Sequence, residues 1–554
     1  MITEPLFQKN ILEQIFNNFD RYLFVDNWIL QYLGALFIIY LCYKVLTYKS
    51  VAFYPNFLPT ENYPVSLKQK DTLYAFVFLC SCFFIYSLSL YFRELTFFNN
   101  IDTMGRNTMH LLQKGVTPMW GINGRLSPVA FWDVNIIYAV THNFKLINIY
   151  IILQTLFIVY LLNSLLNFIP QPKKEIIIGL FILSPVFFWV NLITYPEKWL
   201  LIYVIGSLIF LKKYTQNTSN PTNLWYAILL TNLALYTKEN TILLYFGILV
   251  YSVLYNIYIE KINLSSFIHP LRTCRQLPLE TLLFISLLIF AHFWLENVYM
   301  IIDSPYLILR EKTIIDCLKV YYFELFIILS ACILCFKHIL QNKSYILLNG
   351  LILGSCFLAI FTVFIAKMAP ITSQMESKPY YLILAYMVCL IYLLSFLKNK
   401  KMWFLFVSAI LVYITLRNIQ IEQKEEGRSY REVAQFLISK NKEQLNLFIS
   451  QGSEPIVWCF GIWSTVYKYY WPNKKIHFFT SGFDKDIETS KVFIPGWNNE
   501  YKIFHPINYK KLPSQGDFYI IKKTEAFKFD KTLIRDLPQQ KVFTNKFFEV
   551  YEIQ

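Results

Sequence analysis

Runs of about twenty predominantly apolar residues recur along this chain from residue 26 to residue 419 and then stop, and no other feature restricts its fold as tightly. A helix needs roughly 20 apolar residues to cross about 30 Å of hydrocarbon. A backbone in lipid must also satisfy its own polar groups, which leaves only helices or closed barrels. The runs are too long for barrel strands, so helices are predicted over residues 26–46, 71–92, 144–168, 176–194, 199–215, 223–237, 239–259, 279–301, 319–336, 345–366, 379–397 and 402–419. Apolar residues make up 56% of the chain and charged residues 16%, a balance that excludes an ordinary soluble enzyme. The expected fold is an all-α polytopic membrane bundle of about 12 transmembrane helices over residues 1–419, with a small α/β domain over residues 420–554. No cleavable signal peptide is expected, because Glu4 stands where a basic n-region belongs and the first apolar run is a full span.

The connections set the orientation, since Lys and Arg accumulate on the cytoplasmic side. Basic groups fall on alternate connections: Lys49, Lys68 and Lys70; Lys173 and Lys174; Lys212 and Lys213; Lys261, Arg272 and Arg275; Lys337 and Lys343; Lys398, Lys400 and Lys401. The intervening connections balance their bases with acids, as in Arg93 with Glu94, Glu197 with Lys198, Lys238 with Glu239, and Arg310 and Lys312 with Asp303, Glu311 and Asp316. Both termini and the α/β domain are therefore predicted on the outer, extracytoplasmic face. On this reading the net charge of +15 reflects topology and not affinity for nucleic acid.

The most informative stretch is the long outer loop over residues 93–143, because a loop of that length in a compact membrane protein is usually functional. Met104, Met109, Leu111 and Leu112 predict a short interfacial helix after Asp102, ended by Gly115 and Pro118. Asp102 lies a few residues beyond the membrane edge, where a lipid headgroup and a water-borne acceptor can meet, so it is a candidate general base. Its position fits an N-cap equally well.

Three further stretches follow in order: Gly115-Val116-Thr117-Pro118 with Gly124-Arg125-Leu126-Ser127-Pro128, then Thr194-Tyr195-Pro196-Glu197-Lys198-Trp199, then Tyr236-Thr237-Lys238-Glu239-Asn240. With Ile101-Asp102 before them, they resemble the GT-C superfamily of membrane glycosyltransferases that use polyprenyl-phosphate-linked sugars, of the aminoarabinose transferase or protein mannosyltransferase type. The likeness covers roughly the first half of the chain. It implies that Asp102 is the catalytic carboxylate, that Arg125 faces the donor phosphate and that the Lys238-Glu239 turn supplies a phosphate-binding cation. The chain departs from the family in having Thr103 where many relatives have a second acid, and in the two residues between Arg125 and Pro128. These departures leave divalent-metal use and donor identity open, and no metal ligand is predicted.

The chemistry can also be argued from the residues. A lipid phosphate is already an acceptable leaving group and needs positive charge more than a proton, which Arg125, Lys238 and Arg93 can provide at the low-dielectric membrane edge. Attack by an acceptor hydroxyl, with one carboxylate taking its proton, predicts inversion at the anomeric carbon. Asp133, Glu197, Lys198 and Glu239 are supporting candidates; Asp133 and Glu197 either bind sugar hydroxyls or pair with Arg125 and Lys198, and the structural ion pair is the favoured role. His292 and Glu296, four apart on one helix face, can line a donor groove, while Glu324 and Lys367 stand near outer span ends. Pairing among these four to hold the bundle is the slightly favoured alternative.

The C-terminal region opens with Ser429 and Glu432 in capping-box spacing, predicting a helix to about residue 440. Strands are predicted at Pro455 to Phe460, Ile476 to Phe479, Phe518 to Ile521 and Phe547 to Ile553. Trp458, Trp463, Tyr467, Tyr469, Tyr470 and Trp471 stack on sugar rings or fill the domain core, the core being the simpler account. Cys332 and Cys335 have CxxC spacing within a span and read as packing residues. The expected partners are the polyprenyl-phosphate sugar donor, a glycolipid, polysaccharide or protein acceptor, and membrane lipid; a monomer in a bacterial inner membrane is expected. The rivals are a multi-span transporter or flippase of a lipid-linked sugar, which would show repeated halves and Gly- or Pro-broken helices, and a non-enzymatic scaffold. No such break is evident in the sequence, and a scaffold leaves the clustered outer charges unexplained.

Overall fold

The computed structural model describes residues 11–13, 15, 28–48, 69–91, 119–120, 126–141, 144–190, 196–258, 274–296, 314–341, 345–365, 379–423, 426–449, 475–480, 491–493, 500–502, 507–508, 514–523, 537–545 and 547–554. The apolar runs form helices: α1 (Trp28–Thr47), α2 (Gln69–Tyr91), α3 (Trp132–Val140), α4 (Phe144–Leu165), α5 (Lys173–Leu183), α6 (Pro185–Trp189), α7 (Glu197–Gln216), α8 (Pro221–Thr237), α9 (Thr241–Tyr258), α10 (Pro278–Trp294), α11 (Ile314–Leu340), α12 (Ile346–Ile360), α13 (Ile383–Phe396) and α14 (Lys400–Gln423). A π-helical turn, Phe361–Ile365, extends α12. Among the described residues, four helical stretches are long and apolar enough to cross a membrane: Trp28–Thr47, Lys145–Leu165, Cys317–Leu340 and Ile346–Ile365, of 20, 21, 24 and 20 residues. At about 1.5 Å per residue each reaches roughly 30 Å or more, and they mark the chain as a membrane protein.

One predicted span is not a continuous helix. The run over 176–194 divides between α5 and α6 at Ser184, whose backbone is extended at φ −64°, ψ 145°. Pro185 is the cause, since its ring disfavours helical geometry in the preceding residue and it has no N–H to continue the ladder. Ser184 caps the restart: its Oγ accepts from Phe187 N at 3.3 Å and donates to the Phe181 carbonyl at 2.6 Å. The expectation of unbroken helices is corrected here.

Helices α9 and α12 touch backbone to backbone. A methyl group added to Gly247 would lie 2.1 Å from Gly354 N, and one on Gly350 would lie 2.7 Å from Ile248 Cα. Gly350 and Gly354 have the small-xxx-small spacing that allows such an approach in lipid, where packing replaces the hydrophobic effect as the driving force.

Beyond α14, helix α15 (Glu426–Ser439) precedes a six-stranded mixed sheet. Its strands are β3 (Gln444–Ile449), β4 (Lys475–Thr480), β7 (Ile507–Asn508), β8 (Phe518–Lys522), β9 (Gln539–Thr544) and β10 (Phe548–Ile553), in the order β7-β4-β3-β8-β10-β9. β3 pairs in parallel with β4 and β8, whereas β10 runs antiparallel to β8 and β9. Two small ladders complete the strands: β1 (Met119–Trp120) with β2 (Leu126–Ser127), and β5 (Lys491–Phe493) with β6 (Glu500–Lys502). The strands expected at 476–479, 518–521 and 547–553 are present; β3, β7 and β9 are additions to this sheet, and the strand expected at 455–460 lies outside the described residues with the aromatic cluster 458–471. The predicted capping box is corrected. The helix already runs from Glu426, and Ser429 and Glu432 instead hold Asn545, whose Nδ2 donates to the Ser429 carbonyl at 2.9 Å and to Glu432 Oε2 at 3.3 Å.

Candidate functional site

The described parts of the three sequence motifs, separated by up to about a hundred residues of chain, meet where helix ends converge. Strand β2 lies against the C-terminal end of α8: Val129 N donates to the Tyr236 carbonyl at 3.1 Å, and Leu126 N donates to Glu239 Oε1 at 3.3 Å. The second Glu239 oxygen accepts from Trp294 Nε1 at 3.4 Å, tying the end of α10 to the same point. Leu126 directly follows Arg125, and Glu239 directly follows Lys238. Leu126 and Glu239, each the residue after a predicted cation in the sequence, are thus side by side.

Lys238 caps α8 in an extended conformation, φ −155° and ψ 121°. Its ammonium pairs with Glu197 Oε1 at the start of α7 and stands 5.1 Å from the centre of the Tyr381 ring. Glu197 is the more enclosed partner, with side-chain exposure of 1% against 12% for Lys238. Among the described residues, its buried Oε2 has no hydrogen-bond partner. The partner predicted for Glu197 was Lys198, and that is corrected: neighbouring helix residues do not face one another, so Lys198 turns into the bundle. There its three donors meet three oxygens, Tyr86 OH at 3.1 Å, the Ile151 carbonyl at 3.1 Å and Thr155 Oγ1 at 3.0 Å. The rings of Tyr86 and Phe187 flank it, each 5.7 Å away.

Asp133 is buried in the first turn of α3. It accepts from Tyr150 OH at 2.7 Å and from Gln154 Nε2 at 3.2 Å. Burial pushes its carboxyl above the ordinary range, against the opposing pull of the bonds from Tyr150 and Trp199. Trp199 Nε1 also donates to Tyr150 OH at 3.2 Å, and Trp132 Nε1 to Tyr203 OH at 3.1 Å. Consecutive turns of α4 therefore serve both groups: Tyr150 and Gln154 hold Asp133, while Ile151 and Thr155 hold Lys198. The sequence reading overlooked Tyr150, Gln154, Trp294 and Tyr381. The first two carried a usable signal, two polar side chains four apart in an otherwise apolar run.

His292 and Glu296 lie 3.8 Å apart with side chains 71% and 62% exposed. His292 on α10 and Glu296 just beyond its end face outward while Trp294 turns inward to Glu239, so they do not join the cluster. Glu324 lies within α11, where it is buried and accepts from Tyr413 OH of α14 at 2.9 Å. Asp102, Arg93, Arg125 and Lys367 lie outside the described residues. Among the described residues, no group of three or more His, Cys, Asp or Glu side chains is arranged to hold a metal ion. Compared with protein-family models and with curated proteins, the chain matches none.

Proposed function

We propose that the chain is an inverting membrane glycosyltransferase that moves a sugar from a polyprenyl-phosphate donor to a lipid, glycan or protein acceptor on the outer face of the membrane. The bundle then spans about a dozen times, with the α/β domain on the extracytoplasmic side. The acceptor oxygen bonds to the anomeric carbon as the carbon–oxygen bond to phosphate breaks. Asp102 takes the acceptor proton, and Arg125, Lys238 and Arg93 stabilise the departing polyprenyl phosphate. Asp133, Glu197, Lys198 and Glu239 support that arrangement. The observation that carries this reading is the Glu239 bridge, which joins the strand following Arg125 to the turn holding Lys238.

A second reading, a transporter or flippase of a lipid-linked sugar, draws on the helix broken at Ser184-Pro185, with Phe187 packed on the buried Lys198. Membranes given a radiolabelled polyprenyl-phosphate sugar and candidate acceptors separate the two. Transfer with consumption of donor, reduced by about 10²-fold or more in Asp102→Asn, supports the transferase. Movement of donor across the bilayer without consumption supports the transporter, and near-parental transfer by Asp102→Asn removes that carboxylate from the mechanism.

A further inference from the structure

Four thiols gather in the bundle although the whole chain has only 10 cysteines. Cys332 and Cys335 lie one turn apart on α11, Cys356 on α12 and Cys389 on α13. Two of them stand out. Cys332 Sγ and Cys356 Sγ are 2.9 Å apart, inside the roughly 3.5–4.0 Å of ordinary non-bonded contact. Forming a bond of about 2.05 Å would require less than ~1 Å of further approach. Cys335 is engaged differently, donating to Asn349 Oδ1 at 3.3 Å, and both it and Cys389 are buried.

Accessibility separates the same pair. Cys332 and Cys356 are both partly exposed. Cys332 sits on α11 beside Leu329, Ile333 and Phe336, an apolar face with exposures of 61%, 63% and 64%. At about 1.5 Å per residue, Cys332 lies roughly 12 Å from the end of α11 and Cys356 roughly 15 Å from the start of α12. Both sulfurs are therefore at hydrocarbon depth, open to a lipid-soluble reagent and remote from a water-borne one.

We propose that Cys332 and Cys356 are a redox-active dithiol that closes to an interhelical disulfide when oxidised by a quinone dissolved in the bilayer. Two S–H bonds break and one S–S bond forms; two electrons and two protons pass to the quinone, which leaves as hydroquinone. The closed bond staples α11 to α12. Helix α12 already grips α9 through Gly354 and Gly247, and α11 already holds α14 through Glu324 and Tyr413. Oxidation therefore fixes several helices through one bond. None of these residues belongs to the outer cluster, so the inference stands or falls independently of the transferase reading.

The test uses the full chain in lipid nanodiscs, reduced, freed of reductant and exposed to a short-chain benzoquinone. The expected result is an intact mass lower by two hydrogens, a peptide joining Cys332 to Cys356 and one quinone reduced per chain. Cys332→Ser and Cys356→Ser each abolish all three signs, and Cys335→Ser keeps them. The proposal is overturned if both thiols remain free to alkylation after denaturation, if the mass rises by a quinone adduct on one cysteine, or if the bond forms to Cys335 or Cys389 instead.

Discussion

Removing the ammonium of Lys238 tests the central pair of the cluster most sharply. Lys238→Met leaves the Glu197 carboxylate with its side chain 1% exposed and with one oxygen already lacking a partner among the described residues. Breaking a buried pair by removing one partner costs about 3–5 kcal/mol, because the remaining charge stays desolvated. Glu197→Gln leaves a less costly orphan, since the Lys238 side chain is 12% exposed and its ammonium still faces the Tyr381 ring at 5.1 Å; the expected loss is about 1–3 kcal/mol. The double variant Lys238→Met/Glu197→Gln has no stranded charge, and its loss should fall short of the summed single losses by about 0.5–3 kcal/mol. Denaturant unfolding in mixed micelles, followed by tryptophan fluorescence on all four proteins, measures this coupling. Losses that add to within about 0.5 kcal/mol, or a Lys238→Met protein as stable as the parent, would show that the two charges do not depend on each other.

Two further outcomes follow from packing and from charge. Gly247→Ala should destabilise by about 1–3 kcal/mol or more, because its methyl would lie 2.1 Å from Gly354 N, whereas Gly34→Ala, with no atom within 4 Å, should be neutral or slightly stabilising; equal melting temperatures for the two variants would refute the close crossing. In the C-terminal sheet, partial burial works to raise the Glu549 carboxyl, but hydrogen bonds from Tyr551 and Lys541 outweigh it and hold the group below its ordinary value. Its contribution is then fully present above the ordinary glutamate range of about 4.3 and disappears as pH falls through the lower folded value. Hydrogen exchange of β10 should show protection lost on acidification, with a flatter profile in Glu549→Gln.

The helices were legible because a run of apolar residues long enough to span needs no partner to announce itself. What the sequence left hidden was direction. Glu197 and Lys198 are adjacent in the chain and read as a pair, yet one helical step of about 100° sends Glu197 to Lys238 and Lys198 to Tyr86 and Thr155. The break at Ser184 carried a readable signal, a serine followed by proline as N-cap and first helical residue, but it was masked by apolar neighbours on both sides. In the α/β domain, Ser429 and Glu432 matched a capping box in spacing alone. The polar Glu426, Gly427 and Arg428 before them gave no apolar periodicity to show that the helix had already begun.

Lys198 and Lys238 divide the work on physical grounds. Lys198 has three donors and three oxygens of the bundle to receive them, so a new anion finds no vacant donor there without breaking contacts that join α2, α4 and α7. Lys238 is held by a carboxylate and an aromatic face at a helix end, and one carboxylate can be exchanged for another anion while the charge count is preserved. On the proposed reading, Glu197 keeps the Lys238 ammonium in place before the donor arrives, and the donor phosphodiester, which carries one negative charge and gains a second as its bond to the sugar breaks, then takes its place. Glu239 cannot act in this way, because its two oxygens are committed to Leu126 N and Trp294 Nε1. Glu239→Gln should therefore disturb the position of the strand after Arg125, while Glu197→Gln should strengthen donor binding at the expense of stability. The opposite pairing of effects would assign the two carboxylates the wrong way round.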